Sequence, residues 1–547
     1  MRLMAFPRQW LSLLGVAALC LAFFLQGLFS GLVKSPSNDE SLHIMAGASY
    51  IATGDIFVNP QHPPLLKELA GLSLALAGIH WRNPTHILLQ DLPAGWEWSA
   101  GNKFVDRSGV IRTLFWARLP LLLLSTTTGV LIFWWGRELA GTAAGLCAVF
   151  LFAADPTMVA HSYLVTTDSG VTALGLLFLL FLFRYFQKPG IGRSAAAGVM
   201  LGLALCAKFS AVFLLPIAGI LAAVWLRSRR PTIETGKKKR RKSRQKTPLR
   251  TSPVFAEIAI LIAASILVIQ ICYFSLDGPF LYLHGLGRVN ADHRPDFQAY
   301  LGGQLQHRFV TYFAAAWILK EPLATVALAL GGVFLAFRNR AIPRLSKLFL
   351  FVPPCVFFLA CTIGATDIGL RYLMPAMPFG YIMGGLALAA LIQSRKASRL
   401  AVAALACAWV MLAAVGIYPD HLAYFNEAAC LPTHFRRIGL DGGSRCGPDW
   451  LADSNVDWGQ SLPQLKTWLD RNLPGGTIHL KYFGTYPPER YGIRFEPIEP
   501  NLPPVPPPGL YVVSAHNVAY WGYYKKFPWI GRDPDAVVGH TYSVFRF

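Results

Sequence analysis

Long apolar stretches constrain this chain more than any other feature. Eleven can be read, at roughly residues 9–32, 112–136, 141–158, 168–187, 192–207, 209–226, 254–275, 319–337, 346–364, 371–393 and 398–418. A helix needs about 20 apolar residues to cross the hydrocarbon core. Inside a bilayer only helices and closed barrels satisfy every backbone group. The pattern therefore predicts an α-helical polytopic membrane protein with about eleven transmembrane helices. Composition agrees: 14% of residues are charged and 54% hydrophobic, against about 25% charged in soluble domains. The first stretch is too long for a signal-peptide core, and no small-x-small site follows it, so it reads as an anchor.

Charge sets the orientation. The formal net charge is +21, and twelve Lys and Arg residues lie between Arg227 and Arg250 beside one acid, Glu234. A basic run can bind nucleic acid. Between two apolar spans it reads instead as a cytoplasmic loop, and no nucleic-acid partner is expected. Arg2, Arg8, Arg137, Lys188, Arg193, Arg338 to Lys347 and Arg395 to Arg399 fall on the same side. The loops 33–111 and 276–318 and the tail 419–547 are then extracytoplasmic. Residues 1–418 form the transmembrane module. The tail, with its Pro503–Gly509 cluster, the alternating run Leu510-Tyr511-Val512-Val513 and a helical pattern over 460–470, reads as a small mixed α/β domain. Cys430 and Cys446 are its only cysteines. They are expected to form a disulfide if the tail faces an oxidising compartment; two free thiols are the alternative.

The first outer loop carries structure and chemistry. Ser37-Asn38-Asp39-Glu40 is a capping-box pattern, predicting a helix from about Asp39 to Thr53 that stops at Gly54. Pro63-Pro64 can open a second helix, through to about Ala77. Both are expected to lie at the membrane surface, and Trp96 and Trp98 suit the interface. Asp39 and Glu40 are candidate catalytic carboxylates, since transfer to a hydroxyl needs a base; both also suit a helix start. His43 lies one turn on. His62 and Lys67 bracket the second helix start, a place where phosphate can bind, although Lys67 can also snorkel. Asp168 opens the fourth span, as a functional acid or as a cap. Lys208, Lys320, Arg371 and Tyr372 map to the same outer face and are candidate substrate-binding residues; span-end cations are also ordinary interface anchors.

These residues fall in an ordered set. It comprises Asn38-Asp39-Glu40, Gly54-Asp55, His62-Pro63-Pro64-Leu65-Leu66-Lys67, Ala207-Lys208-Phe209, Lys320-Glu321-Pro322, Gly369-Leu370-Arg371-Tyr372-Leu373-Met374-Pro375, Tyr424-Phe425-Asn426-Glu427 and Asp453-Ser454-Asn455-Val456-Asp457-Trp458-Gly459-Gln460. The set resembles bacterial membrane glycosyltransferases related to protein O-mannosyltransferases. The resemblance implies the GT-C fold, a polyprenyl-phosphate-sugar donor lipid, a hydroxyl-bearing acceptor and a bacterial-type plasma membrane. It also implies Asp39 as base, Asp168 as the second acidic site, and phosphate contacts at His62 and Lys67. Glu321 departs from the pattern, where Thr is more usual, and this leaves the role of Lys320 open. The residues from Asp453 to Gln460 read as a turn before a helix, without assigned chemistry. No cofactor is required, and a divalent metal is left open. A transporter is the rival reading, and would carry ionisable residues near mid-bilayer in paired broken helices.

Overall fold

The computed structural model describes all residues except 1–7, 82–94, 230–250, 293–296, 432–433 and 500. The cytoplasmic basic loop expected at 227–250 lies almost wholly outside the described residues. Helix α1 is Arg8–Leu32, and the loop that follows it holds α2 (Glu40–Thr53), α3 (Leu65–Leu76) and α4 (Trp96–Ser108). There follow α5 (Val110–Ala140), α6 (Thr142–Ala153), α7 (Pro156–Ser162), α8 (Asp168–Gln187), α9 (Ile191–Ala207), α10 (Leu214–Arg229) and α11 (Thr251–Cys272). After α12 (Gly278–Asp292) and a short hairpin come α13 (Tyr312–Lys320), α14 (Leu323–Arg338), α15 (Arg344–Gly364), α16 (Met377–Gln393) and α17 (Ala397–Gly416).

Among the described residues, eight helices are long and apolar enough to cross a membrane, or ten if each of two bent pairs is one span. The expected count of eleven is therefore not reached. Helix α9 has 17 residues and is too short for the length criterion. Two stretches read as continuous are broken: α6 and α7 meet at 66°, and α13 and α14 at 116°. Proline explains both breaks, since Pro156 and Pro322 cannot donate to a continuing ladder.

Large apolar side chains stay exposed on α1 (Trp10, Leu11, Leu14, Leu21) and on α11 (Phe255, Ile262, Leu267, Ile271). Burying such a side chain is worth about 1.5–3 kcal/mol in water. Lipid supplies that environment here. Inside the bundle, Trp135 is fully buried against Phe183, Phe349 and Phe379, with ring centroids 5.7–6.2 Å away.

The two outer-loop helices form where expected, and the turn at Gly54 takes φ 69° with its N–H on the Tyr50 carbonyl. Helix α2 is enclosed by the protein, whereas α3 keeps Leu72 and Leu76 exposed. Residues 40–50 of α2 are buried, and α2 and α3 pack backbone to backbone. A Cβ on Gly47 would stand 1.9 Å from the Lys67 carbonyl oxygen, and one on Gly71 2.1 Å from that of Gly47. Only glycine permits this approach.

In the tail, α18 (Leu462–Asn472) buries Leu462, Leu465 and Leu469. A five-stranded mixed sheet follows. The hairpin strands β1 (Ala299–Leu301) and β2 (Gln304–Gln306) come earlier in the chain and turn on Gly302-Gly303, both at positive φ. The sheet strands are β3 (Ile478–Lys481), β4 (Phe495–Pro497), β5 (Leu510–Ser514), β6 (Ala536–Val538) and β7 (Tyr542–Arg546), in the order β4-β3-β5-β7-β6. Strand β5 is buried throughout, with Tyr511 opposite Phe545 and Val512 opposite Val544. Cys430 and Cys446 are joined in a disulfide. The buried cluster that holds the helices runs on without a gap into Ile478, Val512 and Val544.

Candidate functional site

The chain leaving α1 is clipped to the Asp453–Gln460 segment. Ser35 N–H bonds the Gln460 carbonyl (3.0 Å), Asn38 N–H that of Trp458 (2.9 Å), and the Ser35 hydroxyl that of Gly459 (2.9 Å). The same segment grips the start of the Arg371 motif. Asn455 Oδ1 accepts from Leu370 N–H (3.0 Å), and the Ser454 hydroxyl donates to the Ile368 carbonyl (2.8 Å). A Cβ on Gly369 would meet that hydroxyl at 2.4 Å. A motif read as a turn thus brings Asp39 and Arg371 to one place, and nothing local in the sequence signals it.

Asp39 and Glu40 then part. Glu40 is 0% exposed, and Arg118 holds it in a fork, Nε to Oε1 at 2.8 Å and Nη2 to Oε2 at 2.7 Å. Val165 and Ser37 N–H groups add contacts of 3.1 Å each. No oxygen of Glu40 is left to take a proton, which corrects its reading as a catalytic acid. Arg118, a charge inside the second apolar stretch, was the missed signal. Asp39 is half-buried and its carboxylate makes no capping bond. It lies within electrostatic reach of His43, Arg371 and Asp453.

Around it stands a charged cluster. Asp168, 1% exposed, is paired with Lys208 through Oδ1, and its Oδ2 lies 3.6 Å from Arg371 Nη1. The Arg371 guanidinium stacks 4.1 Å over Trp458 and 5.3 Å over Tyr372, while Lys208 Nζ sits 4.4 Å over Tyr372. Its Nε has no partner among the described residues. Asp168 is therefore a clamp on two cations rather than a free base. His43 Nδ1 bonds the Val165 carbonyl at 2.8 Å, and its ring meets His62 edge to face at 5.0 Å. Burial, with Lys67 and Arg371 nearby, pushes both imidazoles below the usual histidine range, so they enter neutral. Asp453 stands beside Arg371 in the left-handed region, φ 57°. Burial raises its carboxyl to about 6 against the pull of Arg371.

Two of the candidate substrate-binding lysines are committed elsewhere. Lys67, 1% exposed, gives its protons to the Asn59 and His62 carbonyls (2.8 Å each) and the Tyr50 hydroxyl (2.9 Å). Burial lowers it to about 7. Lys320 gives its own to the carbonyls of Leu422 (2.8 Å), Tyr424 (2.9 Å) and Asn455 (2.6 Å). Each ammonium has three donors, and all are used. A separate cavity of about 130 Å³ opens between α1 and α5. Lys34 and Arg118 on its wall are already bound to Asp420 and Glu40, so it offers mainly apolar surface. Among the described residues, no group of three or more His, Cys, Asp or Glu side chains is arranged to hold a metal.

The cluster combines a half-buried carboxylate, Asp39, with the cations Lys208 and Arg371 anchored on Asp168. The family model for dolichyl-phosphate-mannose-protein mannosyltransferases matches residues 110–239. Over that stretch the chain resembles these glycosyltransferases. No curated protein sequence matches. Among solved structures, ArnT from Cupriavidus metallidurans bound to undecaprenyl phosphate is 13% identical over 98% of each chain, with a TM-score of 0.49. The oligosaccharyltransferase AglB from Archaeoglobus fulgidus, with an inhibitory peptide and a dolichol-phosphate, is 13% identical over 86% of this chain and 59% of its own, also at 0.49. The arabinosyltransferase EmbB from Mycobacterium smegmatis is 11% identical over 72% of this chain and 31% of its own, at 0.42.

Proposed function

We propose that this chain transfers a sugar, with inversion, from a polyprenyl-phosphate lipid to a hydroxyl acceptor on the extracytoplasmic face. The observation that carries the reading is Asp39: a half-buried carboxylate with no capping bond, beside a guanidinium stacked on Trp458. The acceptor oxygen attacks the anomeric carbon as the bond to the phosphate oxygen breaks. Asp39 takes the acceptor proton. Arg371 and Lys208 face the charge that builds on the leaving phosphate, and Asp168 holds both in register. Neutral His43 and His62 can donate hydrogen bonds without adding charge. The resemblance to mannosyltransferases over residues 110–239 supports the same chemistry. Purified protein given radiolabelled polyprenyl-phosphate sugars and membrane extract should label an acceptor. If no donor of this class turns over, the proposal is lost.

One observation favours a transporter instead. Two broken spans carry buried acids, Asp155 and Glu321, at their breaks. Reconstituted vesicles separate the readings: transfer without net flux of the donor lipid supports the enzyme, and flux without transfer the transporter.

A further inference from the structure

The two breaks meet. Asp155 ends the gap between α6 and α7, and Glu321 forms the gap between α13 and α14; both are 1% exposed and their carboxyl groups are in contact. Tyr381 from α16 reaches Asp155, and Thr157 reaches Glu321. Yet Asp155 Oδ2, Glu321 Oε1, the Thr157 hydroxyl and the Tyr381 hydroxyl form no hydrogen bond of proper geometry. All four residues are at most 2% exposed. Buried oxygens are normally satisfied, so a group that would bind them all is missing.

Charge identifies it. Lys320 needs three protons for its three carbonyl acceptors, so it is an ammonium in this arrangement. Among the described residues, the other titratable groups near the pair are Tyr381 and Tyr424, both neutral phenols when protonated. Two carboxylates against one ammonium leave one negative charge uncompensated, the costliest state for a membrane interior. Asp155 also caps α7, accepting from Met158 N–H at 2.8 Å. That bond favours its ionised form. We infer that the paired helix breaks hold one labile monovalent positive charge, a proton or a sodium ion, between Asp155 and Glu321. The carbonyls freed at the breaks are taken by other residues, Ala153 by Gln26 and Glu321 by Asn426, so the two carboxyl groups are the acceptors left for either. The bound charge leaves Lys320 to its carbonyls, and through Asn455 to the Leu370 N–H beside Arg371.

This inference stands apart from sugar transfer and is tested without it. Infrared spectra of the full-length protein in nanodiscs, in sodium-free and sodium-containing buffer, read the pair directly. A proton gives a protonated-carboxyl stretch that sodium does not move, that is lost in Glu321→Gln and shifted in Tyr381→Phe. A sodium ion gives that stretch only in sodium-free buffer. It also makes the melting temperature rise with sodium in wild type but not in Glu321→Gln. If Glu321→Gln does not fold, Tyr381→Phe carries the assignment. The inference is overturned if wild type shows no protonated carboxyl and no sodium dependence, or if the stretch is unmoved by both substitutions.

Discussion

Asp39 and Glu40 are neighbours in the chain with opposite fates, and substitutions should separate them. Asp39→Asn keeps the shape and removes the base. A general base is typically worth about 10²–10⁴-fold, so single-turnover transfer should fall within roughly that range while yield and melting hold. Near-wild-type transfer would take Asp39 out of the mechanism. Glu40→Gln leaves Arg118 buried without its counter-charge. Breaking such a pair costs about 3–5 kcal/mol, and the loss should appear in melting and yield before it appears in turnover. Normal stability of the variant would count against the structural reading. Asp168→Asn releases Lys208 and Arg371 together. Weaker donor-lipid binding is expected, measured by competition between labelled and unlabelled lipid.

Among the elements, the crossing of α2 and α3 is held by glycine. Gly47→Ala would place a methyl 1.9 Å from the Lys67 carbonyl oxygen. The helices must separate, at a cost of about 1–3 kcal/mol, and Lys67 should lose its hold on Asn59 and His62. Thermal melting reports the first effect. A second junction ties the exit of α1 to the tail: Lys34 and His540 both pair with Asp420, and His540 also bonds Asp441 at 3.0 Å. Burial opposes the charge on His540, but the two carboxylates outweigh it and raise the imidazole to about 9. Its folded value lies above the unfolded value of about 6.5. The stabilisation is therefore complete below about pH 6.5 and lost as pH rises through about 9. Asp420, held well below the usual range by Lys34 and His540 against burial, works the other way and loses its contribution as pH falls into the acid range. Lys34, lowered by burial, opposes the alkaline loss. The difference in melting between wild type and His540→Asn should therefore shrink from pH 6.5 to pH 9.5; a constant difference would contradict the pairing.

At the scale of the whole molecule, orientation is the first thing to test. Reporters fused near residue 240 and at the C-terminus should report opposite sides of the membrane, and agreement between them would refute the scheme. Much of the fold was legible because hydropathy is a local sum. A run of about 20 apolar residues is committed to the bilayer whatever its neighbours do, and ten of the eleven stretches read from the sequence are wholly or mainly helical spans or bent pairs at the expected position, the short α9 being the exception. The helix stop at Gly54, the opening of α3 after Pro64 and the buried face of α18 follow from caps and periodicity in the same way. By contrast, α2 was expected at the membrane surface and is enclosed, because its neighbours α3 and α4 cover it.

Local sequence was enough to give the membrane-spanning class, the charged ends of the apolar helices as places for chemistry, and Asp39 as a carboxylate just past the first apolar stretch. Tertiary structure alone decided which of those charges are free. Lys67, Lys208 and Lys320 are the same residue at similar helix ends, yet Lys67 and Lys320 each meet three acceptors of the fold, and Lys208 meets a single carboxylate beside Arg371. A lysine's position along a helix follows from local sequence. The number of acceptors that converge on it depends on segments far away in the chain, and that number decides whether it holds the fold together or faces a ligand.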